Sequence, residues 1–400
     1  MRRRKMSARH QVYVARVGYF LSGFAVACWA PLIPIIKSEL QLSTEAISLL
    51  VLSFGIGSVS GMTLSGILLQ HAGFKFTYAL STTTTAISIC LLALMPSYVV
   101  VLCALVVFGA SLGCLEVAIN VFGAYIEKKY HLMLLSVLFA YYSLGEVVGA
   151  LMMLFLLTIA LSPAISILSM IAVIYIACVY YIPVIIDIKS QDKRENRTFV
   201  RPVQPVISLA IIVGFTYMVG GAILDWSGLY VTTEADVPLN FASFGYCIVS
   251  ACMLLCRIYS RPILRILGPY HFTFYGALLM VVGMIIMVVF PNIYVITLGF
   301  FAIGCGMSNI SPLATSAAGA QNKMPLIPAI SFVSICGYIG LLLGPACLGF
   351  IASTFSLKGV FIFLAVLTSV SALLLFTTRR DLMAIGPHHS TDNKQVTEAN

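Results

Sequence analysis

The chain has 400 residues, of which 60% are hydrophobic and only 9% are charged, too few polar side chains to cover a water-soluble fold of this size. Its net charge of +9 comes from bases spread over many loops, which excludes the single basic stripe of a nucleic-acid-binding protein. Long apolar runs without alternation exclude a β-barrel, so the sequence predicts an all-α membrane protein.

Apolar runs of about twenty residues, the length needed to cross a bilayer, recur along the whole chain. The first run follows a basic N terminus like that of a signal peptide, but it is long enough to span and ends in Pro31 and Pro34. It is therefore predicted to be a retained helix. Twelve transmembrane helices are predicted, near residues 12–36, 44–70, 75–95, 98–126, 132–158, 163–186, 206–231, 240–264, 272–290, 293–318, 325–352 and 357–378.

The lysines and arginines predict how these helices are oriented. If the N terminus is cytoplasmic, all 23 basic residues except Lys37 and Lys358 fall on the cytoplasmic side, as the positive-inside rule requires. An error of one helix before the middle of the chain would scramble this segregation. The sequence therefore predicts a multi-pass protein with twelve spans and both termini in the cytoplasm.

One long polar segment, residues 187–205, interrupts the apolar runs. It carries several bases and two prolines, which is typical of a linker between two helical bundles. The predicted domains are an N-terminal six-helix bundle (1–186), a cytoplasmic linker (187–205), a C-terminal six-helix bundle (206–378) and a cytoplasmic tail (379–400).

Neither the cysteines nor the histidines are spaced for metal chemistry. The eleven cysteines lie in apolar runs without a CxxC pair, and the six histidines fall in loops or tails, so we expect no metal and no cofactor. The sequence also contains no HExxH or GxSxG motif, and we do not expect an enzyme.

The two halves of the chain carry a weak internal repeat. Glycines at a fixed distance from an aromatic or polar residue recur at offsets of 197, 193 and 195 residues. The matched sets are Gly23 and Trp29 with Gly220 and Trp226, Gly113 and Glu116 with Gly306 and Asn309, and Ser143 and Gly145 with Tyr338 and Gly340. Duplicated halves imply a pseudo-two-fold axis with a cavity between them, the usual architecture of alternating-access carriers.

The loop between predicted helices 2 and 3, residues 66–75, resembles the helix 2–3 signature of the major facilitator superfamily, although Gln70 replaces the usual acid. Residues 257–265 resemble its second-half counterpart, again without the acid. In that superfamily these motifs latch the cytoplasmic side. The resemblance therefore implies a gating role for Gly66, Gly73, Lys75, Arg257 and Arg261. Arg257 is predicted at the cytoplasmic end of its helix, where its long side chain either reaches the interface or makes a contact within the motif.

Further segments resemble a subgroup of bacterial carriers typified by YbjJ and MosC. They read WAPLIP at 29–34, LEVAIN at 115–120, SLG at 143–145, GAILDWS at 221–227 and YIGLLLGP at 338–345. The chain departs from the subgroup by Gly220 where an acid is usual, by Glu116 in place of aspartate and by the additional acid Glu146. The resemblance implies two pseudo-symmetric six-helix bundles in a bacterial cytoplasmic (inner) membrane.

Three acids lie within predicted helices: Glu116, Glu146 and Asp225. A charge at the bilayer centre costs roughly 3 kcal/mol on insertion scales, so such acids require a partner, a proton or water. Reversible protonation would suit a proton-coupled carrier, and all three are candidates for proton coupling. The alternative for Glu116 and Glu146 is neutralisation by a neighbouring helix for packing alone, and for Asp225 it is a solvated interfacial position.

Aromatic and amide side chains near these acids are candidates for lining a solute cavity. Tyr142 lies one turn before Glu146, and Asn120 lies one turn after Glu116, each pair on one helix face. The alternative for any of them is packing or interface anchoring. The cavity candidates are Trp29, Asn120, Tyr142, Tyr217, Trp226, Asn309 and Tyr338.

The sequence thus predicts a secondary transporter that moves a small organic solute by alternating access, with protons as the coupling ion. Two alternatives stay open: an exporter of a siderophore, drug or other metabolite, and a sensor that binds a solute without moving it. The expected partners are the solute, protons and the lipid bilayer, without nucleic acid, and the protein is expected to be a monomer.

Overall fold

The computed structural model describes residues 8–27, 36, 39–42, 44–94, 97–130, 132–159, 162, 165–172, 176, 200–235 and 244–385. All regular elements in these residues are helices. They are α1 (Ala8–Ala27), α2 (Thr44–His71), α3 (Phe74–Leu94), α4 (Tyr98–Tyr130), α5 (Leu135–Thr158), α6 (165–172), α7 (Gln204–Glu234), α8 (Phe244–Ile258), α9 (Ser260–Val289), α10 (Ile293–Met307), α11 (Ile310–Ala320), α12 (Leu326–Phe355), α13 (Leu357–Thr377) and α14 (Arg379–Ala384).

These helices have the length and surface of membrane spans. Counting α10 and α11 together, eight spans in the described part of the chain are long and apolar enough to cross a bilayer. The shorter or more polar α1, α3, α6 and α8 occupy the other four predicted positions. Large apolar side chains such as Leu151, Phe350 and Leu373 are 60–70% exposed, which suits a surface facing lipid. The structure thus agrees with a multi-pass protein of twelve helices.

Two hydrophobic cores hold the described helices together. One is built from α1 to α6 and the other from α7 to α14, except that Ile327 and Ile330 of α12 join the first core. The predicted boundaries near residues 186, 205 and 378 stay predictions. Residues 177–199, which include the end of predicted helix 6 and most of the predicted linker, and residues 386–400 of the tail lie outside the described residues, while the first tail residues form α14.

The two cores contain equivalent helix crossings. A Cβ atom at Gly145 of α5 would lie 2.1 Å from the carbonyl oxygen of Phe20 in α1. One at Gly340 of α12 would lie 2.0 Å from the carbonyl oxygen of Gly214 in α7. Both positions therefore require glycine for close backbone approach. The sequence repeat with an offset of 195 thus has a direct counterpart in the packing.

The two halves touch at the side of the molecule where α1 begins, called here the N-terminal side. Lys128 Nζ, at the end of α4, donates a hydrogen bond of 3.1 Å to Oδ1 of Asn322, just after α11. A Cβ atom at Gly66 of α2 would lie 3.4 Å from Oγ of Ser331 in α12. On the opposite side, Lys358 at the start of α13 forms a 3.0 Å ion pair with Glu234 at the end of α7, within the second half. Successive helices run in opposite directions, so these two helix ends lie on the same side of the molecule.

The predicted tenth helix, 293–318, is interrupted in the structure. It consists of α10 and α11, with Ser308 and Asn309 between them. Pro312 explains the interruption because it has no N–H to donate to the carbonyl four residues earlier, which is that of Ser308, and because its ring would clash there. The Ser308 carbonyl is therefore free to accept a hydrogen bond from elsewhere.

A second difference concerns the predicted loop between helices 8 and 9. The structure ends α8 at Ile258 and starts α9 at Ser260, within predicted helix 8 (240–264), and the helix then continues through residues 265–267 of the predicted loop. The chain then kinks at Gly268, whose φ of 72° is accessible to glycine. Pro269 follows and restarts the helix, a position where its missing N–H costs nothing.

Candidate functional site

Glu116 lies at a contact between the two halves. Its Oε2 atom accepts a hydrogen bond of 2.6 Å from the hydroxyl of Tyr338, which belongs to α12 of the second half. The Tyr338 ring packs against the ring of Tyr217 from α7, with centroids 6.1 Å apart. Three predicted site residues, far apart in the sequence, therefore form one cluster. All three side chains keep partial exposure, as expected for groups that line a space between helices.

Asn120 extends this cluster toward α1. It is buried, and its Oδ1 atom accepts a hydrogen bond of 2.7 Å from the hydroxyl of Tyr19. Tyr19 is not among the candidates predicted from the sequence, because a tyrosine in an apolar helix carries no signal of its partner. The bond places the amide oxygen of Asn120 in the packing between α1 and α4, which favours the packing alternative for this residue.

Arg257 is buried at the last turn of α8, with 7% of its surface exposed, so it does not reach the interface, which was one of the two alternatives that the sequence left open. Its Nε atom donates to the free carbonyl of Ser308 at 2.9 Å. Its Nη1 atom donates to Oγ of Ser143 in α5 at 2.6 Å, a third hydrogen bond across the halves. The guanidinium carbon lies 5.6 Å from the ring centroid of Phe139, in range for a cation–π contact.

Glu146 lies on α5 near this arginine. Its carboxyl is within electrostatic range of Arg257 and of Glu116, but among the described residues it forms neither an ion pair nor a hydrogen bond. Tyr142, one turn earlier, is within range of both carboxyls, Arg257 and Tyr217. Glu146 and Tyr142 are partly exposed, so water or a solute can reach them.

Of the remaining cavity candidates, Asn309 lies beside Arg257, and the others lie apart from this cluster or outside the described residues. Asn309 is 2% exposed, and its Nδ2 atom donates to Oγ of Ser308 at 3.0 Å, beside Arg257. Trp226 is partly buried near Gly349, and its Nε1 atom lacks a described partner. Trp29 and the side chain of Asp225 lie outside the described residues.

The residues of the gating motifs lie at helix ends. Gly66 is at the end of α2, and Gly73 has a φ of 85° in the turn before α3, which favours glycine. Lys75 begins α3 with a partly exposed side chain, and Arg261 is exposed at the start of α9. They lie at the N-terminal side, whereas Arg257 alone of this group contacts Ser143 between the two halves.

The site therefore comprises two carboxyls, one guanidinium, three tyrosines and one serine between the two halves. It is called here the central polar cluster, and its members are Glu116, Tyr142, Ser143, Glu146, Tyr217, Arg257 and Tyr338. All of these except Ser143 are candidates predicted from the sequence, where Ser143 appears only within a motif. The cluster can bind a polar solute and can hold or release protons at its carboxyls.

A helical membrane fold of two repeated halves with ionisable groups between them is the arrangement of a membrane carrier. The sequence matches the Major Facilitator Superfamily over residues 17–324, and the chain belongs to this superfamily of membrane transporters.

Similar proteins agree with this assignment. An uncharacterised MFS-type transporter of Yersinia pestis is 31% identical over 370 residues, which cover 92% of this chain and 94% of that protein. Membrane protein MosC of Rhizobium meliloti is 25% identical over 346 residues, covering 86% and 84%. The structure of the E. coli fucose:proton symporter FucP superposes with a TM-score of 0.76 at 15% identity, covering 93% of this chain and 99% of FucP. The resemblance inferred from the motifs is thus confirmed, including the similarity to MosC.

Proposed function

We propose that this protein is a proton-coupled secondary transporter that moves a small organic solute across a bacterial cytoplasmic membrane by alternating access. The hydrogen bond between Glu116 and Tyr338 carries the proposal, because it joins a protonatable group of one half to the other half. A carboxylate accepts this bond as a charged partner, which makes the bond stronger than one between neutral groups. Protonation of Glu116 would weaken the link and ease separation of the halves.

Glu146 is the second proposed proton carrier. It lies on the same helix as Ser143, which holds Arg257 of the other half. Its carboxyl has no described hydrogen-bond partner and is partly accessible, so a proton can reach it from the space between the halves. Its charge acts on Arg257, so its protonation would change the field at the contact between α5 and α8.

The contact of the halves at the N-terminal side fits one stage of an alternating cycle. Lys128 and Asn322 join the halves there, and two α12 residues enter the core of the first half. With the N terminus in the cytoplasm, as the charge distribution predicts, this contact would close the cytoplasmic entrance. The fold shared with the fucose:proton symporter FucP is compatible with the same type of cycle.

Transport by reconstituted protein tests the proposal. Proteoliposomes containing wild-type protein are exposed to a bacterial metabolite extract under an imposed pH gradient, and the accumulated solute is identified by mass spectrometry. We expect accumulation only with the gradient. Glu116→Gln and Glu146→Gln should retain exchange of the identified solute but lose accumulation driven by the gradient.

Glu39→Gln is the matched control, because it makes the same chemical change at an exposed acid. Unchanged gradient dependence in both glutamine variants of the cluster would show that protons are carried elsewhere. The direction of the effective gradient distinguishes import from export of a metabolite, drug or siderophore. Solute binding without any counterflow would instead identify a sensor.

A further inference from the structure

Within the part of the chain that the structure describes, no anion is bound directly to the positively charged Arg257. An arginine stays protonated in proteins, and a charge within the membrane region is costly unless it is paired or hydrated. Arg257 is 7% exposed, yet no described carboxylate forms an ion pair with it. Its hydrogen-bond partners, the Ser143 hydroxyl and the Ser308 carbonyl, are neutral.

These two partners fix the orientation of the guanidinium and leave some of its N–H donors without a bond. Nε is held by Ser308 at the end of α10, where the helix dipole favours a cation. Nη1 is held by Ser143, and the ring of Phe139 lies against the guanidinium carbon. The two bonds use only some of the five N–H donors that a guanidinium carries. The guanidinium is therefore held in a fixed orientation and still has N–H donors that are not bonded, an arrangement suited to a planar, bidentate ligand.

The neighbouring carboxyls cannot balance this charge in every state. Glu116 is bonded to Tyr338, and Glu146 acts on Arg257 only through space. When these carboxyls are protonated during transport, the cluster carries the uncompensated charge of Arg257. A cationic solute would then add to an unfavourable field, whereas an anionic solute would neutralise it.

We propose that the solute carries a carboxylate that binds the free N–H donors of Arg257. This inference rests on the transport function proposed above and names the class of its substrate. Arg257 is the one cation within electrostatic range of Tyr142 and Tyr217 among the described residues, so a monocarboxylate matches the site better than a doubly charged phosphate ester. The two tyrosine hydroxyls provide hydrogen bonds for other polar groups of the solute.

The test is a binding screen of full-length purified protein with a metabolite library sorted into monocarboxylates, phosphate esters, neutral compounds and cations. Binding is read as a rise in the unfolding temperature, and each hit is then used in counterflow. We expect the wild-type hits to be monocarboxylates. Arg257→Gln should bind them roughly 10- to 100-fold more weakly, the loss of a hydrogen-bonded charge, while Arg257→Lys should retain part of the affinity.

The control is Arg265→Gln, which removes a positive charge from an exposed position and should leave affinity unchanged. Counterflow of neutral, cationic or phosphorylated hits alone would overturn the inference while the transport function stands. So would carboxylate binding that Arg257→Gln leaves unchanged. If no class binds or exchanges, the transport function itself fails, and the inference with it. Because the class of the wild-type hits is informative alone, a variant that fails to fold does not remove the test.

Discussion

Tyr338 connects to Glu116 through one hydrogen bond of 2.6 Å between residues 222 positions apart. Tyr338→Phe removes the hydroxyl and preserves the ring that packs on Tyr217. We expect solute accumulation driven by the pH gradient to fall roughly tenfold, because the lost bond, which contributes about 1.5–3 kcal/mol as a hydrogen bond to a charged group, no longer links separation of the halves to protonation of Glu116. Tyr294→Phe, at a side chain that is 81% exposed, is the control. Equal accumulation by the two variants would mean that the bond has no part in the cycle.

Glu146 and Arg257 should be coupled energetically although they do not touch. In protein without solute, Glu146→Gln removes the nearby counter-charge and should lower the unfolding temperature. Adding Arg257→Gln should recover part of the loss, with a coupling of roughly 0.5–3 kcal/mol. A carboxylate solute should raise the unfolding temperature of Glu146→Gln more than that of the wild type. Strictly additive effects of the two substitutions would contradict this prediction.

At the scale of single elements, the break between α10 and α11 connects a proline to the position of Arg257. Pro312→Ala would supply an N–H for the Ser308 carbonyl and allow the helix to continue. We expect thermal stability to hold or rise while solute affinity falls, because Arg257 loses the acceptor that positions its Nε atom. Pro205→Ala, in the first turn of α7, is the control. Unchanged affinity in Pro312→Ala would show that the break does not position the arginine.

The start of α5 depends on Glu127, which the sequence placed in a loop and which the structure includes in α4. Its Oε1 atom accepts the backbone N–H groups of Leu134 and Leu135 at 2.5 and 2.6 Å. These are amides that a helix start leaves unpaired. We expect Glu127→Ala to cost about 1–3 kcal/mol of stability, measured by thermal unfolding. Glu127→Gln should cost less, because its amide oxygen still accepts; equal losses would mean that charge matters more than capping.

On the scale of the whole molecule, the contact at the N-terminal side should open during transport. Lys128→Cys combined with Asn322→Cys, joined by a short cleavable thiol reagent, should stop counterflow, and cleavage should restore it. Because the chain has native cysteines, wild-type protein treated with the same reagent is the control. Full counterflow in the cross-linked protein would show that this contact does not separate.

Much of the fold was predictable because membrane helices are specified locally. Hydropathy over about twenty residues decides whether a segment enters lipid, so the positions of α2, α5, α12 and α13 were predicted within a few residues. Glu116, Glu146 and Tyr338 were selected because polar groups in apolar helices are costly to keep without a role. The repeat of Gly145 and Gly340 was visible for a similar reason, since glycine at a close crossing cannot vary freely.

What only the tertiary structure decided is which of these groups meet. The bond from Arg257 to Ser143 joins residues 114 positions apart, and no local pattern encodes such a contact, because it depends on how two bundles pack. The same holds for the hydrogen bond from Tyr19 to Asn120 and for the one from Arg257 to the Ser308 carbonyl. Pro312 leaves that carbonyl without a partner in its own helix, but the arginine that binds it comes from another helix. The sequence by itself determined a twelve-helix membrane fold and its ionisable groups. Packing between the halves decided that one arginine and two carboxyls share a site.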